Sequence, residues 1–236
     1  MKISVIIPTL NESASIARLI KHLKKYGGNN IAEIIISDGG SADATVEISK
    51  LNGAIAIHSA IKGRASQMNY GSTFASGDIF YFVHADTLPP VTFVTDIFNA
   101  VATGNPAGCF AYKFDSEKRQ LKFLSSYTRH KTIFTGGGDQ TLFLTRNIFE
   151  SVGGFNEQFI LMEDFDIVKR LQKEFSFHII QCDALVSARK YDHNSFIRVQ
   201  VANFIVFTLY KLRVRPAHLK TIYHRMLNQY GMEAKK

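Results

Sequence analysis

Cysteine is scarce in these 236 residues: Cys109 and Cys182 lie far apart and show no CxxC spacing. Such usage excludes a disulfide framework and argues against a zinc site; two reduced, buried thiols in a cytosolic setting are expected. Long apolar runs are missing too. Residues 3–7 form an apolar run of five closed by Pro8, too short for a secretory signal and the right length for a strand. Near the end, the twelve residues 199–210 are nearly all apolar, too few to span a bilayer. No GxGxxG follows the first strand, which argues against a dinucleotide site. No GxxxxGK[ST] occurs, which excludes a P-loop ATPase.

What is present suits a folded domain. An apolar content of 46% with 12% aromatics supplies a real core. The length fits one large α/β domain, or a domain with an appendage. Charge divides the chain. Residues 1–187 hold 18 Lys/Arg and 18 Asp/Glu, whereas residues 188–236 hold 10 basic and 2 acidic residues, so the whole net charge of +8 sits in the tail. Either the tail meets an anionic surface or phosphate, or it is a solvated basic helix pair. The predicted division is 1–190 for the main domain and 191–236 for a basic helical appendage.

The first hundred residues alternate. Strands are predicted over 2–9, 33–37, 54–58 and 78–83, with helices over 15–25, from Ser41 or Asp43 to about 52, and over 64–76 with Gly77 as the stop. This βαβαβαβ rhythm implies a mostly parallel, Rossmann-like sheet covered on both faces. Ligands of such sheets bind at the carboxyl ends of the strands. Asn11 and Glu12, Asp38, and His84-Ala85-Asp86 all follow strands there. The second half predicts helices over 90–102, 149–152 and 162–174 and strands over 108–114, 141–144 and 177–181. Two tail helices are expected over 195–212 and 216–230. The run Gly136-Gly137-Gly138 is either a flexible turn or a loop where a bulky ligand comes close.

On the helix that opens at Met162, Asp164 shares a face with Ile167, Val168, Leu171 and Phe175. Glu163 falls with Asp166, Arg170 and Lys173 on the polar side, where Asp166 and Arg170 form an i,i+4 pair. Asp164 is therefore expected to project inward, where it suits a general base. Complementing the helix dipole is the plainer role for these acids.

Five motifs occur in order: Pro8-Thr9-Leu10-Asn11-Glu12, Ser37-Asp38-Gly39-Gly40-Ser41-Ala42-Asp43, Gly63-Arg64, His84-Ala85-Asp86-Thr87 and Met162-Glu163-Asp164-Phe165-Asp166. Over roughly residues 1–190 this ordered set resembles the family 2 glycosyltransferases, whose catalytic domain has the GT-A fold. Arg189-Lys190-Tyr191 and the helices after it are similar to a small bacterial subgroup.

The resemblance implies an inverting transfer from a nucleotide-diphosphate sugar, with a UDP-sugar the expected donor, to a hydroxyl acceptor. Pro8, Thr9, Leu10, Glu12 and Asp38 would line the base and ribose pocket. Arg64 would meet the base or diphosphate, and His84, Ala85 and Asp86 the donor. Asp164 would be the base, with Gly137, Gly138, Asp139, Gln140 and Glu163 towards the acceptor. Asp86 matches the last acid of the family's Asp-x-Asp motif and would hold Mn²⁺ or Mg²⁺ against the diphosphate. His84 stands where the first Asp is usual, which leaves one carboxylate fewer for the cation.

No Gln-x-x-Arg-Trp is present, which argues against a processive polysaccharide synthase. For residues 199–210, a core helix and a helix lying at a membrane interface both stand. The second makes the acceptor lipidic or membrane-borne and sets the protein peripherally on the inner membrane face; on either reading it is expected in the cytoplasm with no nucleic acid partner. The rivals are a sugar-phosphate nucleotidyltransferase and a non-catalytic basic module binding membrane or nucleic acid. The first lacks its glycine-rich basic loop after strand one; the second leaves the acid-lined front unexplained.

Overall fold

The structure, a computed structural model, describes residues 1–132, 135–137 and 139–227. Its first strand, β1 (Ile3–Thr9), is buried along its whole length. Alternate side chains feed two cores: Ile3, Val5 and Ile7 enter one, and Ile6 the other. Helix α1 (Ile16–Gly27) closes the first core with Leu19, Ile20 and Leu23. Then come β2 (Ile31–Asp38), α2 (Thr45–Leu51), β3 (Ile55–His58), α3 (Arg64–Ser72) and β4 (Ile79–Phe82). These four strands run parallel in the order β3-β2-β1-β4.

The second half adds β5 (Thr87–Leu88), α4 (Phe93–Ala102), β6 (Ala107–Phe114), α5 (Arg119–Ser126), β7 (Leu142–Thr145), α6 (Arg146–Ser151), α7 (Glu163–Glu174) and β8 (Phe177–Val186). The eight strands form one sheet, β3-β2-β1-β4-β7-β6-β8-β5. β7 is antiparallel to β4 and β6, and β5 to β8, whereas β6 and β8 are parallel. Helices cover both faces. Phe80, Phe82, Phe149, Ile167 and Leu171 build the second core beneath α3, α6 and α7.

Several expectations are corrected. α3 stops at Ser72, well short of residue 76, and Gly77 is not its terminator. A Cβ on Gly77 would stand 2.8 Å from the Lys2 carbonyl and the Ser4 nitrogen, so this glycine lets the chain pass hard against β1. α5 and β5 were not anticipated. β8 runs to Val186, beyond the predicted end at 181. The pairing jumps from Phe110↔Ile180 to Ala111↔Asp183, so Gln181 and Cys182 bulge out of register. That bulge exposes Cys182, expected to be buried; Cys109 is buried.

The tail forms α8 (Phe196–Lys211) and α9 (Pro216–Met226). Val199, Ala202 and Leu227 share a third apolar cluster with Phe114, Leu121 and Val186, so the tail packs on the outer strands. Among the described residues, no helix is long and apolar enough to cross a membrane.

Candidate active site

The loops after β1 and β2 are built as one piece. Asp38 is buried, and all its acceptor positions are engaged. Thr9 Oγ1 (3.1 Å) and Ser41 Oγ (2.5 Å) donate to Oδ1; the backbone N–H groups of Gly40 and Ser41 donate to Oδ2, both at 2.8 Å. Its carboxylate thus folds the turn that follows. Beside it, Gln67 on α3 donates from Nε2 to the carbonyls of Thr9 and Ser37, each at 2.7 Å. Pro8 and Thr9 are buried, and Leu10 and Glu12 partly so.

The acids that open α7 come next. Met162, the residue before the helix, holds a left-handed backbone with φ of 75°. This conformation costs an L-residue about 1 kcal/mol or more. The two side chains that follow this turn, Glu163 and Asp164, are both buried. Asp164 faces His84, with Oδ2 3.8 Å from Nε2. Glu163 was expected on the polar side. Instead it is 2% exposed, with Oε1 3.8 Å from Nη1 of Arg64. The reason is position: residues of a first turn face whatever packs over the helix start, here the beginning of α3. The Asp166–Arg170 pair forms as expected, at 2.9 Å.

Burial dominates the electrostatics of this cluster. It raises the Asp164 carboxyl well above the usual range; neighbouring Glu163 adds to the rise and Arg64 opposes it. Burial raises Glu163 also, again against Arg64. His84 is lowered to about 3 by burial and by Arg64, so its imidazole is neutral at working pH. The charge of Asp139 reaches Arg64, His84 and Asp164. A neutral imidazole beside a carboxylate of raised basicity is an arrangement that accepts a proton from a bound hydroxyl.

Opposite lies an arginine to which sequence reasoning gave no role. Arg189 grips Glu12 with both arms, Nη1 to Oε2 at 2.9 Å and Nη2 to Oε1 at 2.6 Å. Nη2 also stands 3.2 Å from Oδ2 of Asp86. Lys190 is held charged: burial works against its ammonium, but Asp139 and the hydroxyls of Tyr223 and Tyr191 outweigh it. The triplet Arg189-Lys190-Tyr191 was the available signal; no spacing rule connects it to residues 12 and 86. Gln67 was likewise missed, because a helical glutamine carries no motif.

Does Asp86 suit a divalent cation? Among the described residues, no three His, Cys, Asp or Glu side chains gather to hold a metal unaided. Asp86 offers one carboxylate, 28% exposed at the mouth of the site. One carboxylate with phosphate oxygens and waters is an ordinary set for Mg²⁺ or Mn²⁺, so the residues fit a cation brought with a diphosphate.

The remaining expected residues divide. Gly137 and Asp139 sit on the loop beside the cluster, and Gly138 lies outside the described residues. Gln140 is buried, its Oε1 accepting from the Gly136 N–H at 2.6 Å and its Nε2 donating to the Phe110 carbonyl at 3.3 Å. Its amide braces the loop. Ala85 is buried between His84 and Asp86.

Comparison with known proteins bears on the family and the fold. The family model described as glycosyl transferase family 2 matches residues 4–162, more than half of the chain. A dolichol-phosphate mannosyltransferase of Pyrococcus furiosus is 31% identical over 110 residues, a match covering 44% of this chain and 31% of the relative. The match thus spans less than a third of that relative's length.

Among solved structures, TarS (residues 1–349) of S. aureus superposes with a TM-score of 0.66 at 15% identity, over 96% of this chain and 70% of that one. Glucosyl-3-phosphoglycerate synthase of Mycobacterium tuberculosis, in complex with Mn²⁺, UDP and glucosyl-3-phosphoglycerate, gives 0.58 at 17% identity, over 79% and 70%. At such identities the likeness shows the fold, the GT-A type α/β architecture.

Proposed function

The chain belongs to glycosyl transferase family 2, and from that premise we propose that it transfers a sugar, with inversion, from a nucleotide-diphosphate sugar to a hydroxyl acceptor. The observation that carries this is the inward setting of Asp164, 3.8 Å from neutral His84 on the carboxyl edge of the sheet. Asp164 takes the acceptor proton, and the acceptor oxygen attacks the anomeric carbon from the side opposite the leaving diphosphate. Arg64, half exposed and paired with Glu163, meets negative charge on the donor. Arg189 holds Glu12 and Asp86 in place until a donor enters.

A divalent cation bound at Asp86 would neutralise the diphosphate as it departs. UDP is the expected nucleotide; the glucosyl-3-phosphoglycerate synthase structures with UDP and Mn²⁺ or Mg²⁺ support that choice. The buried turn of Thr9, Asp38 and Ser41 shapes the wall against which the base would lie.

The exposed side of α8 supports peripheral contact with an anionic membrane. Ile197 (73%), Phe204 (66%) and Val201 line it, with Leu212 just beyond. From residue 193 to 227 the sequence has no acid, while Arg198, Lys211, Arg213 and Arg215 flank the apolar residues.

Incubation with UDP-, GDP- and dTDP-sugars plus Mn²⁺ tests the transfer. Release of the nucleoside diphosphate from one donor, abolished by EDTA, is expected. If no donor binds or is cleaved while polyanions bind tightly, the transferase reading fails.

A further inference from the structure

Behind the base, α7, α8 and the chain at Lys131, Thr132 and Thr135 border a cavity of about 410 Å³ that opens to solvent. Its rim carries three lysines, Lys131, Lys169 and Lys211, and among the described residues no carboxylate lines it. Its floor is aromatic: the rings of Phe165 and Phe207 stand 5.5 Å apart, those of Phe207 and Tyr210 6.4 Å. Lys211 Nζ lies 5.1 Å from the Phe207 ring centre. Into the same wall α7 sets Gln172, whose amide nitrogen is buried without a hydrogen-bond acceptor among the described residues. An unmet buried donor is costly, and here it adds to three cations about one space.

The cavity is close to the chemistry. Phe165 follows Asp164 directly, and Val168 lies one turn on, about 6 Å along the helix axis. The chain at Thr135 and Gly136 forms part of the partition: Thr135 lines the cavity and Gly136 packs on Val168. On the outer side, Phe207, Tyr210 and Lys211 belong to the helix that also bears the exposed stripe at Ile197, Val201 and Phe204.

We propose that this cavity binds a phosphate group borne by an amphiphilic acceptor. The lysines and the Gln172 amide hold the phosphate, the aromatic floor covers the start of an apolar chain, and the acceptor is thereby anchored against the helix that carries Asp164. The assignment of the bound molecule as acceptor rests on the transfer proposed above; the cavity's preference for an anionic amphiphile does not. A volume of this size suits a headgroup with a short stretch of chain. Three cations with no lining acid among the described residues favour a dianion over a neutral polar head.

Calorimetric titration of the full chain with octyl phosphate, below its micelle concentration, tests the assignment against octanol and inorganic phosphate. Octyl phosphate should bind at least about tenfold more tightly than either. Inorganic phosphate binding equally well would reduce the site to a phosphate site without an amphiphile; octanol binding equally well would remove the anion. Either result overturns the proposal.

Lys169→Glu, at an exposed helical position, should weaken octyl phosphate binding about tenfold. Gln172→Leu should weaken it severalfold while leaving the unfolding midpoint unchanged or raised, an outcome a merely structural glutamine would not give. Undiminished binding in both variants overturns the proposal. UDP affinity of the unaltered protein is measured alongside. Failure of octyl phosphate beside normal UDP binding sinks the cavity site alone; failure of UDP beside tight octyl phosphate sinks the transfer alone.

Discussion

As the proposed base, Asp164 answers two opposed demands, since that role needs it charged and it is buried where charge is disfavoured. Burial and Glu163 raise its pKa, so between the unfolded and folded values the native state binds the extra proton. Its contribution to stability therefore falls as pH rises through the folded pKa. Asp164→Asn should raise the thermal unfolding midpoint at pH 8 while lowering transfer by at least about a hundredfold with UDP affinity kept. An unchanged rate would remove Asp164 as the base. Transfer should decline on acidification with a midpoint above the ordinary carboxylate range. His84, at about 3, titrates too low to produce that limb. Arg189→Ala leaves Glu12 and Asp86 without their guanidinium. Because the pair is partly exposed, a loss of about 1–2 kcal/mol in urea unfolding is expected, together with a raised donor KM. A variant matching the parent in both would show that the fork contributes nothing.

At the scale of elements, the helix α7 depends on the loop that precedes β7. Gly136 has φ of 83°, and a Cβ there would fall 2.4 Å from a methyl of Val168. Gly136→Ala should destabilise by about 2–3 kcal/mol, combining left-handed strain with overpacking. Transfer should fall further than donor binding, because Val168 and Asp164 share one face of α7. Equal stability in chemical unfolding would refute this packing argument. Regular elements of this kind were legible where one period dominated. The alternation from β1 to β4 and the phase of Asp164 could be read from apolar spacing alone. The facing of side chains in a helix's first turn could not. Glu163 turns inward because α3 packs over it, a circumstance that leaves no local pattern. The bulge at Gln181 and Cys182 escaped for the same reason, since its cause is the pairing partner β6.

For the whole molecule, the uneven charge and the apolar side of α8 bear on where the protein works. Co-sedimentation with vesicles rich in anionic phospholipid should be strong at low salt. It should drop severalfold for Ile197→Asp/Phe204→Asp, each aspartate replacing an exposed apolar side chain beside basic residues. Identical recovery of both proteins with the vesicles would show that this side faces water. The candidate site as a whole was visible in outline, because carboxyl-edge residues of a parallel sheet are placed by topology. Its closure was not, for Arg189 reaches Glu12 across 177 residues of chain. That clasp bears on how the protein is made. A nascent chain emerging from the ribosome can build β1 to β4 early, but it lacks the guanidinium that secures the first loop until residue 189 has been synthesised and β8 is in place. A truncated or stalled product would thus carry the sheet with Glu12 and Asp86 unclasped, and on the function proposed above it would hold an activated sugar more weakly than the complete chain does.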